Sequence, residues 1–294
     1  MPSDNVRSYI HLHFIVFVWG FTAVLGALIT LDALPLVWFR MSIAVAIILL
    51  FIFLKKIPLT LPRKTLVSLL AAGLVIALHW LTFFKAIKVS NISVTLACMS
   101  TGAFFTSLLE PFFFGRKIIW YEVVFGLLVI AGLYIIFSFE GDYLYGILLA
   151  LASAFLSASF AIINGKLAKS YNPSVISFYE LLGGVFFFSV YLLFTGSFTP
   201  AFFNVSADDW LWLFALGSFC TAYAFIASVQ VMKFLSPYTV MLTINLEPIY
   251  GIILALIVFD DKEKMSAAFY TGAAVILCTV IINGIVKDYT KNKS

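Results

Sequence analysis

The stretch SPYTVMLTINLEPIYGIILALIVF (236–259) decides how this chain is read. It is long enough to cross a bilayer, which takes about 20 apolar residues. Near its middle stand Glu247 and Pro248. A charged side chain at mid-membrane depth costs about 2.5–3.5 kcal/mol on insertion scales, so it rarely stands there without a partner or a task. Proline removes the backbone hydrogen bond one turn back and breaks or kinks the helix. Both features at one depth point to a place where the membrane barrier is interrupted on purpose.

The rest of the chain has the composition such a stretch needs. Of its 294 residues, 63% are hydrophobic and 11% charged, against about half and a quarter in soluble domains. A polytopic protein of the lipid bilayer follows. The formal charge of +4 comes from basic residues that are not clustered on one segment, so no nucleic-acid partner is expected. Cys98, Cys220 and Cys278 each fall in a different apolar stretch, without metal-type spacing, and read as small buried hydrophobes. The first apolar run is of full membrane length, is preceded by a single Arg7 and lacks a small-x-small cleavage site; it reads as a retained span.

Apolar runs of about 17–25 residues mark spans. Ten are expected, at 10–30, 34–54, 65–85, 90–113, 120–139, 143–164, 174–195, 209–231, 236–259 and 266–286, followed by the polar tail 287–294. Lys and Arg set the orientation. One side collects thirteen: Arg7, Lys55, Lys56, Arg63, Lys64, Arg116, Lys117, Lys166, Lys169, Lys233, Lys287, Lys291 and Lys293. The other collects Lys85, Lys88, Lys262 and Lys264, and Arg40 lies within the second span. Both termini are therefore expected in the cytoplasm, with the chain in the inner (cytoplasmic) membrane.

The chain also repeats itself. Shifting the fourth and fifth spans by 146 positions lays Ser90 over Ser236, Thr101 over Glu247 and Gly126 over Gly272. Ser93, Ala97 and Thr101 recur every four residues, as do Thr239, Thr243, Glu247, Gly251 and Ala255, which places each series on one helix face. The second span matches the seventh more loosely, VWFRM (37–41) against SFYEL (177–181). A period of five spans is odd, so the halves 10–139 and 143–286 are expected to lie upside down relative to each other. Inverted repeats of this kind hold a substrate site near midplane at the repeat interface.

FVWGFTAVLG in the first span, HWLTFFKAIKVSNISVTLACMST (79–101) and LEPIYGIILALIVFDDKEKMSAAFYTGAAVIL across the last two spans resemble the EamA family of the drug/metabolite transporter superfamily. The resemblance covers nearly the whole chain as two tandem modules. It implies an all-α protein of ten spans that exports small metabolites, amino acids or drug-like compounds by alternating access, through a cavity lined by spans 1, 3, 4, 6, 8 and 9. The Gly-Glu-Arg turn usual after the fourth or ninth span is replaced by Gly115-Arg116-Lys117 and Asp261-Lys262-Glu263. Exchange of phosphorylated or nucleotide-linked metabolites is an alternative. A membrane-embedded enzyme or lipid-modifying protein is another, but it would need clustered His, Asp or Glu near one membrane face. No phosphate-cradling loop, zinc-protease helix or nucleophile elbow occurs, so a non-enzyme without cofactor or metal is expected, as monomer or homodimer.

The candidate residues each carry two readings. Glu247 is a proton carrier or a partner for a cationic substrate group, or else a protonated carboxyl bonding a neighbouring helix. Thr101 is expected to face it. Pro248 and Gly251 read as a gating hinge or as packing, and Thr239, Thr243 and Ala97 as cavity lining or close helix contact. Arg40 and Glu180 hold similar places in the second and seventh spans. They pair, bind a substrate's charged ends, or, for Arg40, snorkel to the surface. His79 relays protons, contacts substrate or bonds between helices, with Trp80 beside it as wall or packing. The stripe Ser153, Ser157 and Ala161 reads first as helix packing. Lys85 and Lys88 are interface anchors or attract an anion.

Overall fold

In the computed structural model, residues 4–115, 120–139 and 141–291 are described; Arg116, Lys117, Glu140 and Lys293 lie outside them. The described residues form helices joined by short connections, with no strand among them. In chain order the helices are α1 (Asp4–Leu28), α2 (Ala33–Leu54), α3 (Arg63–Val89), α4 (Ile92–Met99), α5 (Gly102–Phe114), α6 (Trp120–Phe139) and α7 (Leu144–Leu167). Then follow α8 (Pro173–Phe194), α9 (Pro200–Phe203), α10 (Ala207–Gly217), α11 (Ala224–Val231), α12 (Pro237–Ile244), α13 (Glu247–Phe259) and α14 (Ala267–Lys291). Eight helical runs are long and apolar enough to cross a membrane: α1, α2, α3, α4–α5, α7, α8, α10–α11 and α12–α13. α6 and α14 hold shorter described apolar stretches, Val124–Ile136 and Ala267–Asn283. The ten expected runs thus appear as helices, eight of them of membrane length by this measure.

Local chemistry sets many of the starts. Asn172-Pro173, Thr199-Pro200 and Ser236-Pro237 each open a helix with an oxygen-bearing cap followed by proline at the first helical position. The cap oxygen accepts a first-turn N–H, and proline there lacks only an N–H that had no helical partner. α3 lies against both α7 and α8, α1 against α13 and α11, and α6 against α14. Gly132 and Gly272 bring α6 and α14 together: a Cβ on Gly272 would stand 2.8 Å from the Gly132 carbonyl oxygen.

Both polar-striped spans break, at Ser100–Thr101 and at Asn245–Leu246. Neither break is unwound. Thr101 N–H donates to the Cys98 carbonyl (3.1 Å), and Leu246 N–H to that of Thr243 (3.0 Å), so each is a tightened turn with i→i−3 bonds. Such tightening inside a helix marks hinges and strained sites. The two spans share their bounds at an offset of 145, not 146: α4 over α12, α5 over α13, and Gly115 over Asp260, both with positive φ (68° and 46°). The sequence offset matched Ser90 to Ser236 by identity. By role the counterpart of the Ser236 cap is Asn91, whose side chain accepts from Val94 N–H (2.8 Å), while the Ser90 hydroxyl bonds back to the Ala86 carbonyl. Glu247 therefore corresponds to Gly102, and Thr101 to Leu246.

One connection crosses between the repeats at this level. Glu263, buried in the turn after α13, accepts from the backbone N–H groups of Ile92 (3.1 Å) and Ser93 (2.9 Å) and from the Ser93 hydroxyl (3.0 Å). It caps α4, where the helix dipole favours a carboxylate. Replacing Glu263 by Ala leaves two buried amides without acceptors, at about 1–3 kcal/mol each. The thermal midpoint of E263A in detergent is expected to fall well below wild type, with E263Q in between; an unchanged E263A midpoint would count against the cap.

Candidate functional site

The broken helices meet a cavity in the middle of the bundle. Its walls include Trp19 and Thr22 of α1, Arg40 of α2, His79, Trp80 and Phe83 of α3, Met99 of α4 and Ser157, Phe160 and Ala161 of α7. Ile76 of α3, Phe225 and Ser228 of α11, Met241 and Ile244 of α12 and Glu247 of α13 complete them, with Met232 just beyond α11. Met99 and Ile244 sit immediately before the two breaks. Pro248 has no N–H to return to the Ile244 carbonyl, so that acceptor loses its helical donor beside the cavity. Pro248 itself stands in the first turn of α13, where it is tolerated, and the interruption lies two to three residues before it.

Arg40 is the most constrained charged group. It is 1% exposed, which removes snorkelling as its explanation. Its Nε donates to the Thr221 hydroxyl (2.6 Å), and its guanidinium lies over the Trp80 ring, 4.1 Å from the centroid. Thr221 is presented by a π-helical segment, Ser218–Tyr223, between α10 and α11. The wider turn sends the Thr221 hydroxyl to the Leu216 carbonyl (2.6 Å), and Trp19 Nε1 donates to the Cys220 carbonyl (3.2 Å). Inserted π turns of this kind occur often at functional sites. Arg40 Nη1 is buried and has no hydrogen-bond acceptor among the described residues.

Glu247 faces the same cavity at the positive end of α13, yet among the described residues no hydrogen bond or ion pair reaches its carboxyl, from Arg40 or elsewhere. The cavity thus holds one cation and one carboxyl that face a common space without closing on each other. His79 lines it too, with Nδ1 held by the Ser153 hydroxyl (2.8 Å) and carbonyl (3.0 Å). Aromatic rings form the apolar wall: Trp80 and Phe225 have centroids 5.7 Å apart, Phe160 and Phe225 5.4 Å. Three methionines, Met99, Met232 and Met241, add adaptable surface. The cavity measures about 80 Å³. Ligand pockets generally run to about 300–1,000 Å³, so in this conformation the space holds a few waters and the walls must part to admit a metabolite.

Other sequence candidates go elsewhere. Thr101 is fully buried, its hydroxyl bonded to the Cys98 carbonyl (2.8 Å), and it does not line the cavity; the expected pairing across from Glu247 is replaced by Met99, Met241 and the Arg40 side. Ala97 and Thr243 are buried away from the cavity, and the Thr243 hydroxyl bonds to the Thr239 carbonyl (3.0 Å). The Thr239 hydroxyl bonds that of Ser236 (2.8 Å) at the start of α12. Gly251 packs against Leu96 and the Gly20 carbonyl. Glu180 does not meet Arg40: it is fully buried beside Asn164 of α7. The small stripe on α7 divides, with Ser153 holding His79 and with Ser157 and Ala161 lining the cavity. Lys88 donates to the Ile29 carbonyl (2.9 Å) where α1 ends, and Asp209 accepts from Thr30 N–H (2.7 Å) and hydroxyl (2.6 Å). Among the described residues no His, Cys, Asp and Glu side chains gather as metal ligands.

A membrane-length helical bundle built from repeats, with a polar-centred cavity at two broken helices, has the make-up of a membrane transport protein. The chain belongs to the EamA-like transporter family, whose profile matches residues 7–138 and again 144–285. It is a multi-pass membrane transporter with two EamA repeats. An "Uncharacterized transporter" of Clostridium kluyveri is 26% identical over 250 residues, covering 81% of this chain and 76% of that protein. A solved crystal structure, 16% identical, superposes with a TM-score of 0.70 over 95% of this chain and 98% of its own, a likeness of fold.

Proposed function

We propose that this protein is a secondary transporter that exports a small organic metabolite bearing both an anionic and a cationic group, as amino acids do. Ten spans in two inverted five-span halves, set in the cytoplasmic membrane with both termini in the cytoplasm, rock about the central cavity. The observation that carries the reading is the buried Arg40 and the half-buried Glu247 facing one cavity without an ion pair between them. Arg40 Nη1 offers the substrate's carboxylate a donor that has no other use. Glu247 takes the substrate's ammonium or, on the return step, a proton, which makes the exchange a proton antiport. A dianionic phosphate finds only one cation on these walls, and that disfavours the exchanger of phosphorylated metabolites.

Ligand-induced thermal stabilisation tests the substrate class. Free amino acids that raise the midpoint are expected to weaken at least about tenfold as N-acetyl or methyl-ester derivatives, each of which strands one charged group of the cavity. Equal stabilisation by the blocked forms would remove the zwitterion. Proteoliposomes with and without an imposed pH gradient test the coupling. Glu247→Gln is expected to abolish the gradient's effect on transport, and gradient-driven transport at the wild-type rate in E247Q would rule out the proton role.

A further inference from the structure

A second buried polar cluster lies between α7 and α8 and takes no part in the cavity. Glu180 and Ser177 of α8 and Asn164 of α7 are all 0% exposed. Asn164 Nδ2 donates to Glu180 Oε2 (3.3 Å), and that is the one hydrogen bond within the cluster. Three oxygens remain buried with no partner among the described residues: Glu180 Oε1, Asn164 Oδ1 and Ser177 Oγ. Buried polar atoms are nearly always satisfied, so three orphans, on Asn164 and on two α8 residues that share a helix face one turn apart, call for an explanation. Ser177 is the more unusual because a helical serine has a ready acceptor one turn back. Ser42, Ser68, Ser159 and Ser218 all use theirs, and Ser177 does not.

The character of the orphans indicates what is missing. All three are oxygens, one belongs to a carboxyl, and no cationic side chain among the described residues pairs with that carboxyl. Asn164 also sits in the last turn of α7, where the helix dipole presents its negative end. An ionised carboxylate left alone there would carry a penalty of several kcal/mol. A proton on Glu180 Oε1 neutralises the charge and supplies one O–H donor, which can serve at most one of the other two oxygens. A small hard cation engages all three oxygens together. A single carboxylate balances a single charge, which selects a monovalent ion, and helix C-terminal ends are known Na⁺ ligands in transporters.

We infer that Glu180, Asn164 and Ser177 form a Na⁺ site between α7 and α8, separate from the central cavity. The site does not depend on the substrate reading, because it is tested by ion binding rather than by transport. α8 lies against α2, α3 and α11, three of the helices that wall the cavity, so an ion held here favours one arrangement of those walls.

The purified full chain in detergent, held at constant ionic strength, supplies the test. Replacing choline chloride by NaCl is expected to raise the unfolding midpoint saturably, and ²²Na⁺ is expected to bind with matching half-saturation. Ser177→Ala, which removes one oxygen ligand, is expected to raise the half-saturating Na⁺ about tenfold. Glu180→Gln is expected to abolish the response, and Glu247→Gln to retain it. Should E180Q fail to fold, S177A and Asn164→Ala still decide the matter. Equal midpoints in Na⁺ and choline, or a midpoint that follows pH alone, would make Glu180 a proton site or a structural carboxyl and overturn the inference. A Na⁺ response undiminished in S177A and N164A would overturn it too. Loss of the Na⁺ response in E247Q would place the ion in the central cavity instead.

Discussion

Arg40→Met is expected to abolish transport in proteoliposomes while leaving the protein at least as stable as wild type. The opposite signs are the point of the experiment. Truncating one member of a buried charge contact typically costs about 2–5 kcal/mol in binding, or roughly 30- to 5,000-fold. Arg40 is 1% exposed and its Nη1 has no acceptor, so much of its hydrogen-bonding capacity is unused until a ligand arrives. For folding, an incompletely satisfied buried guanidinium is a burden. Replacing buried ion pairs by apolar residues of similar volume is often neutral or stabilising by about 1–4 kcal/mol, and Arg40 has no ion-pair partner among the described residues to leave behind. A residue present for structure would lose activity and stability together. Arg40→Lys is expected to recover little, at least tenfold below wild type, because an ammonium cannot both stack flat on Trp80 at 4.1 Å and reach Thr221 from a side nitrogen. Uptake at the wild-type rate in R40M would sink the assignment, and so would activity lost in step with the unfolding midpoint.

That residue shows where sequence reading succeeds and where it stops. Apolar run lengths give the helices closely: 34–54 is expected and Ala33–Leu54 found, and 120–139 coincides with Trp120–Phe139. Span length is a property of contiguous residues and the bilayer, so it is written locally. Arg40, Glu247, His79 and Trp80 stand out individually for the same reason, as polar or bulky groups in apolar runs, and all four line the cavity. What lies opposite each is not local. Arg40 meets Thr221 across 181 positions, and that contact exists because a π turn rotates Thr221 toward α2. The small and polar residues of GSFCTAY (217–223) are the only trace of that turn in the sequence. Met99, Met241, Phe160 and Phe225 read as ordinary core. Glu263 reads as a departure from a family turn, and its work as the cap of α4 depends on a fold that brings residues 170 apart together. The offset of 146 errs by one because serine was matched with serine, whereas the structure matches cap with cap.

Gly73→Ala is expected to be among the most damaging single-methyl additions in the chain, and Gly183→Ala nearly as severe. The two glycines lie where α3 and α8 cross with backbones in contact. A Cβ on Gly73 would fall on the Glu180 carbonyl oxygen, with the Gly184 nitrogen 3.0 Å away, and one on Gly183 would stand 2.7 Å from the Leu70 carbonyl oxygen. Helices in a bilayer associate through such close packing, since lipid tails offer no hydrophobic drive between them. Because backbone cannot rotate aside, the whole crossing must widen. Overpacking costs about 1–3 kcal/mol and occasionally more, and two backbone contacts put G73A at the upper end. Gly102→Ala gives the contrast: its Cβ would crowd the mobile end of Met241 (2.7 Å), which can swing away, and would touch the Ala154 carbonyl oxygen at an ordinary 3.9 Å, so a midpoint close to wild type is expected. Similar midpoints for G73A and G102A would show that the crossing is loose. If G73A still folds, its Na⁺ response should weaken as well, because the carbonyl it displaces belongs to Glu180. Its transport should fall for a second reason, since α3 also carries His79 and Trp80 into the cavity.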